Sequence, residues 1–195
     1  MHLVIPARLG STRLPRKPLV EIAGKPMIVW VAERASLVVA DDLIVAVDDQ
    51  EVMDVVRQHG FECLLTSKGH RSGSDRVLEV ASELGWKDED VLVNVQGDEP
   101  LLPTDIVNQL ISFMKSDEDS GIEFATVSEP LSDQSEFENP NCVKVVTDRD
   151  GVALYFSRAP IPFPRDQGVS ESTSKGEYNN LVKVDYPIKR HVGIY

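Results

Sequence analysis

The sequence is short of cysteine, has no long apolar run and carries too few positive charges to balance its acids. Its two cysteines, Cys63 and Cys142, lie far apart with no paired spacing. That pattern argues against a disulfide scaffold or a zinc site and reads as two buried thiols in a reducing compartment. The four histidines, His2, His59, His70 and His191, show no metal-ligand spacing. No apolar stretch approaches the ~20 residues of a membrane span. Pro6 and Arg8 interrupt the first apolar segment too early for a signal peptide, so a cytoplasmic protein is expected. Asp and Glu outnumber Lys and Arg by 32 to 20, for a net charge of −12. This excess argues against nucleic acid and against anionic membrane surfaces as partners. Several enzyme signatures are also missing. Lys17 is followed by Pro18 and not by Ser or Thr, so there is no Walker loop, and no Gly-x-Gly-x-x-Gly occurs. In Gly69-His70-Arg71-Ser72-Gly73 the serine falls one place late for a nucleophile elbow.

What is present is an alternation of buried strands and amphipathic helices. The 195 residues, 42% of them hydrophobic, suffice for one domain with a substantial core. Strands are predicted at 2–5, 43–47, 61–65 and 91–95, with helices opened by Gly24-Lys25-Pro26, from 51 to 59, after Ser72-Gly73-Ser74-Asp75 and after Pro103. Strands covered on both faces by helices imply right-handed crossovers and a mostly parallel sheet. Beyond Ser116 the pattern changes. Strands at 123–127, 143–146 and 152–156 lack long helices between them and predict a mixed sheet edge plus a small subdomain. Residues 164–185 read as a polar, mobile loop, and 191–195 as a strand in which the sequence stops, so further chain is expected to help form the site.

Two constellations carry chemistry. Pro6 to Leu19 follows the first strand and holds Arg8, Arg13, Arg16 and Lys17, with Gly10 and Ser11. A cationic loop with a glycine, leaving a strand end, suits a polyphosphate, because backbone N–H groups approach closely and cations neutralise charge. The second constellation, Asn94-Val95-Gln96-Gly97-Asp98-Glu99-Pro100, follows the fourth strand, at the same end of a parallel sheet. Asp98 there is a hard-oxygen ligand suited to Mg²⁺.

Together, Ile5-Pro6-Ala7-Arg8, Ser11-Thr12-Arg13, Lys17-Pro18-Leu19, Ser72-Gly73-Ser74-Asp75-Arg76, Val93 to Pro100, Ala153 to Arg158 and Arg190 to Tyr195 resemble the 3-deoxy-manno-octulosonate (Kdo) cytidylyltransferases. The resemblance spans the first strand to the last residue. It implies an α/β, Rossmann-like nucleotidyltransferase fold and a reaction of CTP with Kdo, Mg²⁺ assisting, to give CMP-Kdo and pyrophosphate for lipopolysaccharide synthesis. It implies Lys17, Arg8 and Asp98 as catalytic residues, with Asp98 the metal ligand. Ala7, Arg8, Gly10, Ser11, Arg13, Lys17, Ser72, Gly73, Arg76 and Gln96 are implied to hold the nucleotide. Gln96, Arg158, His191 and Tyr195 are implied to hold the acidic sugar. It further implies a homodimer and a family sequence that extends past the position of Tyr195, with a second metal-binding aspartate and dimer-forming helices. Two departures stand out. Arg16 takes a place where the family usually has glycine, and Val47 replaces a common threonine. A synthetase for sialic acid or 8-amino-Kdo, and an inactive nucleotide-binding remnant, remain as alternatives.

Overall fold

The computed structural model describes residues 1–10, 14–116, 121–131, 133–162 and 188–195. They form two compact units, Met1–Ala125 with Gly193–Tyr195, and Thr126–Val192.

The first unit is built on four parallel strands. β1 is His2–Ala7, β4 is Asp42–Val47, β5 is Cys63–Leu65 and β6 is Leu92–Asn94, in the order β5-β4-β1-β6. Leu3, Val4, Ile5, Val45, Ala46 and Val47 are fully buried, as their unbroken apolar runs require for strands covered on both faces. Each such Val or Ile contributes about 1.5–3 kcal/mol by leaving water. Helix α3, Gly73–Leu84, lays Val77 and Val80 on Val4 and Ala46. Helices α1 (Met27–Ala35), α2 (Gln50–Gln58) and α4 (Thr104–Ser116) complete the alternation. Helix termini fall where local chemistry puts them. Asp49 caps α2 by accepting from Glu51 N, and Gly85 ends α3 at φ 66°. Ser72 and Asp75 form a reciprocal capping box at the start of α3.

The chain from β1 runs to β4 and β5 on one side, while β6 lies on the other. The strand order therefore reverses between β1 and β6, and the crevice beyond their carboxyl ends is where open α/β sheets bind ligands.

Two expectations are refined. Gly24-Lys25-Pro26 opens α1, with Pro26 at the N-cap position just before the first turn. It also belongs to a small hairpin, β2 (Glu21–Ile22) and β3 (Lys25–Pro26), turned by Ala23 and Gly24 at φ 51° and 78°. Two consecutive positive φ values are what a type I′ hairpin demands. The strands after Ser116 do not extend the parallel sheet. β7 (Val127–Pro130), β8 (Lys144–Thr147), β9 (Ala153–Ser157) and β10 (Lys189–Val192) form their own antiparallel sheet, ordered β7-β10-β8-β9. This second unit also contains α5, Gln134–Glu138, and a small core of Leu131, Phe137 and Ile188. The predicted loop at 164–185 lies outside the described residues.

Candidate active site

A cleft of about 300 Å³ opens at the β1/β6 crevice. The end of β1 supplies Pro6, Ala7 and Arg8, and the loop after it supplies Lys17 and Pro18. The segment entering α3 supplies His70, Arg71, Ser72, Gly73 and Arg76, and the turn after β6 supplies Gln96, Gly97 and Asp98. Three stretches far apart in sequence meet because each follows, or starts, an element packed on one end of the same sheet. Ala7, Arg8, Lys17, Ser72, Gly73, Arg76, Gln96 and Asp98 thus share one cleft. Gly10 lies instead at an adjoining depression with Leu9, Arg16, Asp48 and Lys68. Ser11 and Arg13 fall outside the described residues. Tyr195 is in the same unit, its hydroxyl 3.0 Å from Ser74 Oγ at the first turn of α3. Its backbone also pairs with Asn94, whose N–H donates to the Tyr195 carbonyl at 2.6 Å. Arg158 and His191 belong to the second unit.

Close packing sets the shape of the β6 side. A Cβ on Gly97 would lie 2.8 Å from the Pro6 carbonyl oxygen, so any larger residue would drive the Asp98 turn off β1. A Cβ on Gly193 would lie 2.8 Å from Gln96 Cγ, so this glycine makes room for the Gln96 side chain.

The electrostatics divide the cleft's cations. Lys17 Nζ donates to Asp98 Oδ2, joining the β1 loop to the β6 turn. His70 pairs with Glu79, and that hydrogen bond is the main reason the Glu79 carboxyl titrates below its ordinary value. Arg76 is buried, donates to Thr66 Oγ1 and lies 3.5 Å from Asp48 Oδ2. Burial, partly offset by Asp48, lowers the Arg76 pKa from its usual value. Asp48 also accepts from Leu9 N at 2.9 Å, so one carboxylate holds both Arg76 and the start of the basic loop. Among the described residues, Arg8 and Arg71 line the cleft without an ion-pair partner.

Arg16 has a physical account. It caps the 3₁₀ turn Lys17–Leu19 at φ 58°, ψ 30°, the left-handed region where glycine sits without strain. Its guanidinium pairs with Glu51 at the start of α2.

Sequence reasoning passed over His70 and Arg71, which were weighed only as part of a nucleophile elbow. Their signal was position, immediately before a capped helix that starts at the ligand end of the sheet. It also passed over Asp48, which reads as the end of a strand and works as a brace.

Cations on the loop after β1, facing a carboxylate on the turn after β6 across a switch-point cleft, define an α/β nucleotidyltransferase. Residues 2–195 match the family model described as cytidylyltransferase. The 3-deoxy-manno-octulosonate cytidylyltransferase of Saccharophagus degradans is 50% identical, over 99% of this chain and 73% of its own length. That of Cellvibrio japonicus is 47% identical, over 100% and 73%. A solved structure of CMP:2-keto-3-deoxy-manno-octonic acid synthetase complexed with CTP superposes with a TM-score of 0.79 at 38% identity, covering 98% of this chain and 71% of that one. The chain belongs to the cytidylyltransferase family and, within it, to the 3-deoxy-manno-octulosonate cytidylyltransferases.

Proposed function

We propose that this chain activates Kdo with CTP, giving CMP-Kdo and pyrophosphate for lipopolysaccharide synthesis in the cytoplasm. The observation that carries the reading is the meeting of Lys17 and Asp98 across the crevice, beside Arg8, which has no ion-pair partner among the described residues. The anomeric hydroxyl oxygen of Kdo forms a bond to the α-phosphorus of CTP. The bond from that phosphorus to the bridging oxygen of the β-phosphate breaks, the hydroxyl proton is lost, and pyrophosphate leaves. Negative charge spreads over the phosphoryl oxygens in the transition state, so positioning and charge neutralisation supply most of the catalysis. Arg8 and Lys17 bind and neutralise the triphosphate. Ser72, Gly73 and Arg76 hold the cytosine against the start of α3. Arg158 pairs with the sugar carboxylate, and Gln96, His191 and Tyr195 contact the sugar.

The residues fit Mg²⁺. Asp98 is one hard-oxygen donor at the cleft, and no group of three His, Cys, Asp or Glu side chains converges among the described residues. Mg²⁺ needs one or two carboxylates, with phosphate oxygens and water completing its shell. Asp98 would hold it together with the nucleotide, and the ion would supply charge neutralisation at the triphosphate. With Asp98 so engaged, Lys17 would be free to pair with a phosphate oxygen.

Pyrophosphate release from CTP and Mg²⁺ by the full-length protein tests this. It should require Kdo. Release that instead requires a sialic acid or 8-amino-Kdo moves the assignment to another CMP-sugar, and release with no sugar overturns it.

A further inference from the structure

We infer that Lys144 is a positioning residue for Arg158. The inference rests on reading Arg158 as the cation that takes the sugar carboxylate. Lys144 opens β8, between β9 and β10, opposite Ser157 on one side and Arg190 on the other. Its side chain is 0% exposed. Its ammonium donates to three backbone carbonyls: Cys142 at 2.7 Å, Asn139 at 2.9 Å and Arg158 at 2.7 Å. All three N–H donors are thereby used. Among the described residues no carboxylate lies in ion-pair range.

A buried ammonium without a counter-ion is expensive, and an aliphatic side chain would fill a β-strand position more cheaply. The arrangement gains in return a fixed frame for one residue. Lys144 holds the carbonyl of Arg158 itself. It also holds both ends of the turn Asn139-Pro140-Asn141-Cys142, whose Pro140 carbonyl accepts from Arg158 Nη1 at 2.8 Å. Backbone and side chain of Arg158 are therefore both referenced to one ammonium. With Nη1 committed to Pro140, the guanidinium is oriented, and among the described residues its Nε–Nη2 edge remains as a two-pronged donor for a carboxylate. Carbonyls satisfy the Lys144 N–H groups without cancelling the charge, so its positive field persists beneath the Arg158 strand end and adds to the attraction for an anion.

The test is steady-state kinetics of the full-length protein with each substrate varied. Lys144→Met should raise KM for Kdo by roughly ten- to a hundredfold, the scale of a lost charge-assisted hydrogen bond. KM for CTP should stay within about twofold, which a merely structural loss would not achieve. Combined with Arg158→Ala, Lys144→Met should add little to the Arg158→Ala effect on Kdo, because it acts through that residue. An unchanged KM for Kdo, an equal rise for both substrates, or effects that multiply in the double variant overturns the inference. Should Lys144→Met fail to fold, Lys144→Arg keeps charge and donors but carries a larger planar head. It should raise KM for Kdo alone, and no change overturns the inference. If Arg158→Ala by itself leaves KM for Kdo unchanged, the fault lies in the reading of Arg158 as the carboxylate partner.

Discussion

The two units treat positive charge differently. In the parallel-sheet unit, Lys17 is matched to Asp98, His70 to Glu79, Arg76 to Asp48 and Arg16 to Glu51, while Arg34 and Arg57 donate to backbone carbonyls and Arg8 and Arg71 have no ion-pair partner among the described residues. In the antiparallel unit Arg190 is matched likewise, to Glu129 and Glu136, but Lys144 and Arg158 rest on backbone carbonyls. A carboxylate partner cancels a charge and can be traded for a phosphate. A carbonyl satisfies the donor and leaves the charge in force. At the cleft Lys17 is thus held in a pair that an incoming triphosphate would open, while in the second unit Lys144 and Arg158 donate to carbonyls, which satisfy the donors without supplying a counter-charge. In a chain of net charge −12, both arrangements keep basic groups in fixed places among the surrounding acids.

The comparison breaks most visibly at Asp98. Asp98→Asn removes the negative charge that pairs with Lys17 and that would hold Mg²⁺. Turnover should fall by about a thousandfold, the scale of losing a pre-aligned electrostatic group. The pair is partly exposed, so stability should change by under about 1 kcal/mol. Turnover equal to the parent protein would mean that the pair is a surface ion pair and nothing more.

Next comes Arg76. Arg76 is 4% exposed, and Arg76→Met would leave the half-buried Asp48 carboxylate with its cation gone. A loss of about 3 kcal/mol is expected, which lowers the melting temperature by roughly 6–12 °C in a chain of this size. Arg190→Met removes a more exposed pairing and should cost under about 1 kcal/mol. Equal losses in thermal melts of the two variants would erase the distinction between a brace and a surface pair. Arg16 gives a smaller effect. Arg16→Ala keeps the left-handed strain and loses Glu51, whereas Arg16→Gly loses Glu51 and relieves the strain. The glycine variant should be the more stable of the two by about 1 kcal/mol.

How much of this was legible follows from what each signal depends on. The parallel sheet could be read because Leu43 to Val47 and Leu3 to Ile5 are unbroken apolar runs, and such runs mark strands covered on both faces. The cleft residues could be read because they follow β1 and β6 or stand at the capped start of α3. The antiparallel sheet was blurred because β9 exposes residues of both alternating faces, Leu154 and Tyr155 among them, so no face pattern marks it. Lys144 was invisible. Val143-Lys144-Val145-Val146 reads as a strand with its lysine outward, and only a turn at 139–142 and the end of β9, met through space, can bury it. The ion pairs were equally hidden, since Asp48 and Arg76 are 28 positions apart in the sequence and Lys17 and Asp98 are 81 apart.

The smallest expected effect concerns the second unit's histidine. His191 on β10 lies edge-on to Phe156, with ring centroids 5.2 Å apart, and its Nε2 is 2.8 Å from Thr126 Oγ1. Burial holds its pKa below the ordinary 6.5, because the imidazolium loses more hydration than the neutral ring. The unfolded chain therefore takes up a proton near pH 6.5 that the folded chain still refuses. Stability supplied by the neutral ring is complete above that pH and declines as pH falls through the interval down to the folded pKa. Three carbonyls receive the Lys144 ammonium, whereas burial disfavours the charged form of this ring, and that contrast is what the measurement sharpens. Denaturant unfolding at steps from pH 7.5 to 5.5 should show stability falling with acid, and His191→Gln should remove part of that slope. An identical slope in the variant would mean that the fold accepts the imidazolium as readily as it accepts the Lys144 ammonium.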